Sequence, residues 1–115
     1  MPGVQTLLPV MLDHVNNNKL KLEQLINLIC ENPVKIFGIK NKGYLKENYD
    51  ADITIVDLNK SIKIKNEDIQ SKCGWSPFHG HSFKGSPIAT IVNGKIKMLN
   101  GKIIGSPEGL PLDFS

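Results

Sequence analysis

Apolar residues recur with a helical period over the first third of the chain. Val4, Leu8, Met11, Leu12 and Val15 fall at i, i+4, i+7, i+8 and i+11, which predicts a helix over about residues 4–15. Pro9 costs little if the helix begins near Thr6, because the first-turn N–H groups have no intrahelical acceptor. Asn16-Asn17-Asn18 ends it, since asparagine tolerates left-handed backbone. Leu22, Leu25, Ile26 and Ile29 repeat the stripe and predict a second helix over 22–30, with Glu23, Gln24 and Asn27 outward. Lys21 stands where Ser, Thr or Asp would cap its first N–H groups. Asn32 and Pro33 then suit the cap and first position of a short third helix ending at Gly38.

After Lys40 the period changes to two. Lys42-Gly43 and Asn48-Tyr49-Asp50 are turn signals, followed by a β-branched run over 52–58. Ser61 to Lys65 alternates, with Ile62 and Ile64 inward and Lys63 and Lys65 outward, predicting a half-exposed strand. Glu67-Asp68-Ile69 suits a helical turn, and the Gly- and Pro-rich stretch 73–87 a long loop. Strands are predicted over 88–92, 95–99 and 102–104. The connections between them, Asn93-Gly94 and Asn100-Gly101, supply the positive φ angles of type I′ hairpin turns. The expected fold is α+β: a helical hairpin over 1–40, an antiparallel β-meander over 41–105 and an irregular tail over 106–115.

With 115 residues, 40% hydrophobic and 22% charged, the chain has the size and make-up of one globular domain. No apolar run nears the roughly 18 residues of a membrane span, and the start lacks a basic segment followed by an apolar core. The expected location is the cytoplasm. The net charge of +3 comes from fourteen scattered lysines with no arginine, which speaks against a nucleic-acid surface because arginine is the preferred reader of phosphate and guanine. Cys30 and Cys73 have no C-x-x-C spacing, so neither a zinc knuckle nor a redox pair is written here.

Candidate chemistry is sparse. His79 and His81 lie two apart, and on extended backbone both imidazoles would point to one side and could grip a metal ion. A catalytic site needs further ligands, and the remaining histidine, His14, lies far away in the chain. Ser76 and Ser86 each precede proline, which suits turns better than a nucleophile, and Gly80 to Gly85 has no phosphate-loop spacing. Asp50, Asp52 and Asp57 flank a strand, where turn and edge roles are the default. No catalytic residue is assigned.

The ordered motifs do resemble a known family. Leu7-Leu-Pro-Val-Met-Leu12, Glu31-Asn-Pro-Val-Lys-Ile-Phe-Gly38, Lys42-Gly43 and Asp50-Ala-Asp-Ile-Thr-Ile-Val-Asp57 resemble the C-terminal part of the amidohydrolase superfamily. Lys72-Cys-Gly-Trp-Ser-Pro-Phe78, with Gly80, Gly85 and Pro87-Ile-Ala-Thr-Ile-Val-Asn-Gly94, narrows the likeness to bacterial-type dihydroorotases and allantoinase-like relatives. The resemblance implies a zinc-dependent (β/α)₈ barrel that interconverts dihydroorotate and carbamoyl-aspartate in pyrimidine biosynthesis. It implies that residues 1–40 are the last barrel helices and residues 41–105 strands of a flanking β-sandwich. The family's ligands (an H-x-H, a carboxylated lysine, two further histidines and an aspartate) and its substrate arginine would all lie before Met1. Pro2 and Gly3 resemble the end of a loop bordering the substrate. His79 and His81 stand where relatives carry glutamate and an apolar residue, so no metal is assigned to them. The expectation is a segment inactive alone, with no cofactor of its own. Its partner would be a second copy or a complementary N-terminal barrel fragment, with a stand-alone interaction module as the rival reading.

Overall fold

The computed structural model describes residues 3–114. Its elements are α1 (Leu7–Asn16), α2 (Leu22–Ile26), a π-helical turn (Asn27–Glu31), α3 (Asn32–Phe37), β1 (Ile53–Lys63), a 3₁₀ turn (Asn66–Asp68), β2 (Ser82–Val92), β3 (Lys95–Leu99) and β4 (Lys102–Ile103). Helices come first, and the strands form one antiparallel sheet in the order β1-β2-β3-β4. The chain divides into two compact units interleaved in sequence: Met1–Leu20 with Val56–Pro87, and Lys21–Ile55 with Ile88–Ser115.

In the first unit, α1 begins at Leu7 rather than Val4. Val4 is exposed, and the preceding turn is closed by the Leu7 N–H donating to the Gly3 carbonyl at 3.0 Å. Pro9 therefore sits in the first turn, where its missing N–H costs no intrahelical bond, and its ring is buried with Leu12. The helix ends where expected, with Asn18 left-handed at φ 59°.

The Asn16 side chain does more than stop the helix. Its amide donates to the carbonyls of Leu58 at 2.9 Å and Lys84 at 2.7 Å, tying α1 to β1 and β2. Asp13 adds a second tie, its Oδ1 accepting the Lys84 N–H at 2.8 Å. β2 starts six residues before the expected Ile88. Gly85 and Pro87, read from sequence as loop residues, lie inside the strand, with Gly85 at φ 114° and buried against Leu12. A glycine that must approach another backbone closely can sit within a strand as a local bend, which a reading of glycine as punctuation misses.

In the second unit, two expected helices are one continuous run. Asn32 is helical (φ −65°, ψ −43°), not a cap. Pro33 is accommodated by the wider π turn before it, which relieves the clash a proline ring makes with the carbonyl four residues back. Lys21 supplies no cap, and the Gln24 Oε1 instead accepts the Lys21 N–H at 2.9 Å. Gly38 ends the run left-handed, as expected.

The two strands expected over 52–58 and 61–65 are likewise one, β1. At the junction the Asp57 carboxylate accepts the Asn59 N–H at 2.8 Å, a local bond that satisfies the backbone without breaking the strand.

β2 and β3 form the expected hairpin, with Asn93 at φ 52° and Gly94 at φ 76°, and β3 and β4 the next, with Asn100 at φ 49° and Gly101 at φ 83°. Thr90 pairs with Met98 but Ile91 with Ile96, so Lys97 is an extra, bulged residue on β3. Its ammonium bonds the Ser106 carbonyl at 3.0 Å and the Glu108 carboxylate at 2.8 Å. The tail is otherwise irregular, except that Phe114 bridges to Ile39 and the Lys40 N–H donates to the Asp113 carbonyl at 2.8 Å.

Candidate functional site

The loop before β2 holds the histidine pair. Asn66 organises it from below: its Oδ1 accepts the Ser76 N–H at 2.9 Å, and its N–H donates to Nδ1 of His79 at 2.9 Å. The Ser76 hydroxyl, in a buried residue, accepts the Phe78 N–H at 3.1 Å, forming the Ser-Pro turn expected from sequence. Ile64 pins the loop to the end of β1, donating to the His81 carbonyl at 2.9 Å and accepting from the Gly80 N–H at 2.8 Å. The His81 ring stacks on Phe83 with centroids 6.3 Å apart and meets Phe78 edge-on at 6.2 Å.

The sequence resemblance assigns no zinc to this histidine pair. Nδ1 of His79 accepts a backbone N–H, and His81 is exposed beside Phe78 and Phe83. Among the described residues no three His, Cys, Asp or Glu side chains are grouped to hold a metal ion. His14, on α1, buries its Nδ1 with no hydrogen-bond partner. Ser76 and Ser86 are both buried, with the Ser86 hydroxyl donating to the Pro87 carbonyl at 3.2 Å.

A second polar cluster lies in the other unit, around Asp52. The Lys42 ammonium binds the Asp52 carboxylate and reaches Asp50 at 3.1 Å. The other oxygen of Asp52 accepts the Asn93 N–H at 2.9 Å, and the Ala51 carbonyl accepts the Gly94 N–H at 3.0 Å. The hydrogen bond from Lys42, then that from Asn93, holds the Asp52 carboxyl below its usual range, and the bond to Asp52 raises Lys42. Gly43, at φ 88°, presses its backbone against Val34 and the Cys30 carbonyl. The cluster therefore fastens the 41–43 turn and the β2–β3 hairpin to the start of β1. Asp50 and Asp52 have turn roles, as their place at a strand end suggested. The Asn93 bond was not legible, because it joins residues 41 positions apart.

Of the substrate-bordering pair, Pro2 lies outside the described residues. The Gly3 carbonyl is taken by the first turn of α1, accepting from Leu7 and from the Thr6 hydroxyl at 3.4 Å. Cys30 is half-buried and Cys73 exposed, and both are free thiols. Burial, then the neighbouring Glu31, pushes the Cys30 thiol up, away from a reactive thiolate. No described helix is long and apolar enough to cross a membrane.

Comparison with known proteins places this arrangement in a family. The family described as amidohydrolase matches residues 4–97. This chain belongs to the amidohydrolase family. It is 41% identical over 109 residues to a dihydroorotase of Pyrococcus furiosus, covering 95% of this chain and 26% of that protein. A dihydroorotase of Methanosphaera stadtmanae is 44% identical over 96 residues, 84% of this chain and 22% of its own length. Among solved structures, the L-hydantoinase (dihydropyrimidinase) of Arthrobacter aurescens superposes with a TM-score of 0.85 and 37% identity, over 90% of this chain and 23% of that one. This amidohydrolase chain thus spans about a quarter of the length of the curated relatives it matches. The helices followed by an antiparallel sheet are what a segment of such an enzyme contains.

Proposed function

We infer that this chain is the C-terminal segment of a dihydroorotase-like cyclic amidohydrolase and that the 115 residues alone perform no catalysis. The observation that carries this reading is the pairing of 33–44% identity to dihydroorotases with coverage of only about a quarter of their length. The reaction assigned to the complete enzyme is reversible hydrolysis of the cyclic amide of dihydroorotate to carbamoyl-aspartate, a step of pyrimidine biosynthesis in the cytoplasm.

Two features of this chain support the division of labour. His79 and Asp52 each accept a backbone N–H in a turn, and no triad of ligands is grouped among the described residues. It also has no arginine to clamp a substrate carboxylate. Zinc and its ligands belong to the remaining three quarters, and no step of the reaction is assigned to residues here. The contribution of this segment is structural, with the backbone at Pro2 and Gly3 bordering the substrate in the complete enzyme.

The purified chain should contain far less than one equivalent of zinc by elemental analysis. Stoichiometric zinc that survives dialysis would overturn the reading. The exposed apolar side chains of the second unit favour one alternative, a stand-alone module that self-associates. Sedimentation at micromolar concentration separates the two, since a folded monomer would dismiss the self-associating module.

A further inference from the structure

We propose that Asn100 is a site of spontaneous deamidation, where water converts the side-chain amide to aspartate or isoaspartate. Asn93, in the same Asn-Gly-Lys sequence, is protected from it by the fold. The proposal goes beyond the segment reading and does not depend on it.

The reaction belongs to the dipeptide. The Gly101 backbone nitrogen gives its proton to water and attacks Cγ of Asn100. A new N–Cγ bond forms, the Cγ–N bond of the side-chain amide breaks, and ammonia leaves with a proton from water. Water then adds at either carbonyl of the five-membered succinimide, which opens to aspartate or isoaspartate with no change in oxidation state. A glycine after the asparagine favours the attack because it has no Cβ and a freely turning backbone. Asparagine counts among the thermolabile residues accordingly.

Asn93-Gly94-Lys95 and Asn100-Gly101-Lys102 repeat one sequence, so their intrinsic reactivity is matched and the fold decides between them. Both asparagines are left-handed, at φ 52° and 49°. A closed hairpin turn resists swinging the glycine nitrogen onto Cγ, so the rate follows the cost of opening the turn.

The first turn is held shut. The Asn93 N–H donates to Asp52 at 2.9 Å, and the Gly94 N–H, the nitrogen that would attack, donates to the Ala51 carbonyl at 3.0 Å. The flanking strands are 11 and 5 residues long, and Asn93 is half-buried. At the second turn the Asn100 N–H donates to the Ile88 carbonyl at 2.8 Å, which leaves the next nitrogen untouched. Among the described residues the Gly101 N–H has no such bond, and both turn residues are exposed. A Cβ at Gly101 would meet nothing within 4 Å. β4 has only two residues, paired as Met98 with Ile103 and Leu99 with Lys102. One bond lies beyond them, from the Ile104 N–H to the Lys97 carbonyl at 2.8 Å. The second turn is therefore the cheaper to open. Isoaspartate adds a backbone methylene that a two-residue turn cannot absorb, so conversion also releases β4.

The test incubates the 115-residue chain, checked for folding by circular dichroism, at mildly alkaline pH and body temperature. Peptide mass spectrometry with electron-transfer fragmentation follows both asparagines and separates aspartate from isoaspartate. Asn100 is expected to convert about tenfold faster than Asn93, and the two rates to become equal once urea unfolds the chain. Equal rates in the folded chain, or faster loss of Asn93, overturn the proposal. So does a difference that persists in urea, because it assigns the selectivity to sequence rather than to the fold. Survival of Asn100 in the folded chain after the unfolded chain has fully converted overturns it as well.

Discussion

Gly85 and Leu12 meet so closely that a Cβ at position 85 would lie 2.6 Å from the Leu12 Cβ. Leu12 is 1% exposed, and its Cβ is fixed to the α1 backbone, so neither side can yield cheaply. Gly85 also holds φ at 114°, where side-chain-bearing residues are strained. Gly85→Ala is therefore expected to cost about 3 kcal/mol from overpacking and backbone strain, after the smaller gain from a stiffer unfolded chain. Urea unfolding followed by circular dichroism measures it, and an unchanged midpoint would contradict the packing.

Asn16 fastens the C-terminal end of α1 to two strands through the carbonyls of Leu58 and Lys84. Asn16→Ala leaves both carbonyls without that donor and should destabilise by about 2 kcal/mol. Asn16→Asp should be worse, because a carboxylate would face the same two carbonyl oxygens. The ranking of Asn over Ala over Asp is the informative readout from thermal melts.

Around Asp52 the expected effect depends on pH. Its carboxyl is depressed, first by Lys42 and then by the Asn93 N–H. A folded value below the unfolded one near 3.9 gives stabilisation that is complete above about pH 4 and lost as pH falls through the folded value. Lys42 is raised, chiefly by Asp52, so its share holds below about pH 10.4 and is lost as pH climbs through its folded value. Asp52→Asn keeps an oxygen for Asn93 and removes the charge. It should melt below the parent at pH 7, with the gap closing as pH falls through the depressed folded value and the parent carboxyl protonates. A gap that persisted at the acid end would point to shape rather than charge.

His79 should behave as a turn residue. His79→Ala removes the acceptor for the Asn66 N–H and should loosen the 76–81 loop, raising amide exchange at Asn66 and Gly80. Zinc titration by calorimetry should give the same weak heats for the parent and the variant. A clear loss of zinc binding would restore the histidine pair as a metal site.

Much of this fold was legible in the chain because its signals are local. The hairpins at Asn93-Gly94 and Asn100-Gly101, the left-handed Gly38 and the β3 boundaries rest on residues within a few positions of one another. The errors came where a distant contact decides. The Gly85 bend lies inside β2 because Leu12 packs on it. Asn66, Asn16 and Asp52 have roles set by partners 10 to 68 residues away. The π turn shows the same limit at short range, since Asn-Pro reads as a cap until the preceding turn widens to admit the proline. The histidine pair was legible as a pair, but the aromatic stack and the bond from Asn66 that occupy it were not.

We infer that this segment carries the family's scaffold without its chemistry. The most direct measurement is dihydroorotate hydrolysis by the purified 115-residue chain, followed by ultraviolet absorbance with and without added zinc. Rates indistinguishable from buffer are expected in both cases. Zinc-stimulated turnover that co-purifies with the chain and disappears in His79→Ala or His81→Ala would contradict the inference.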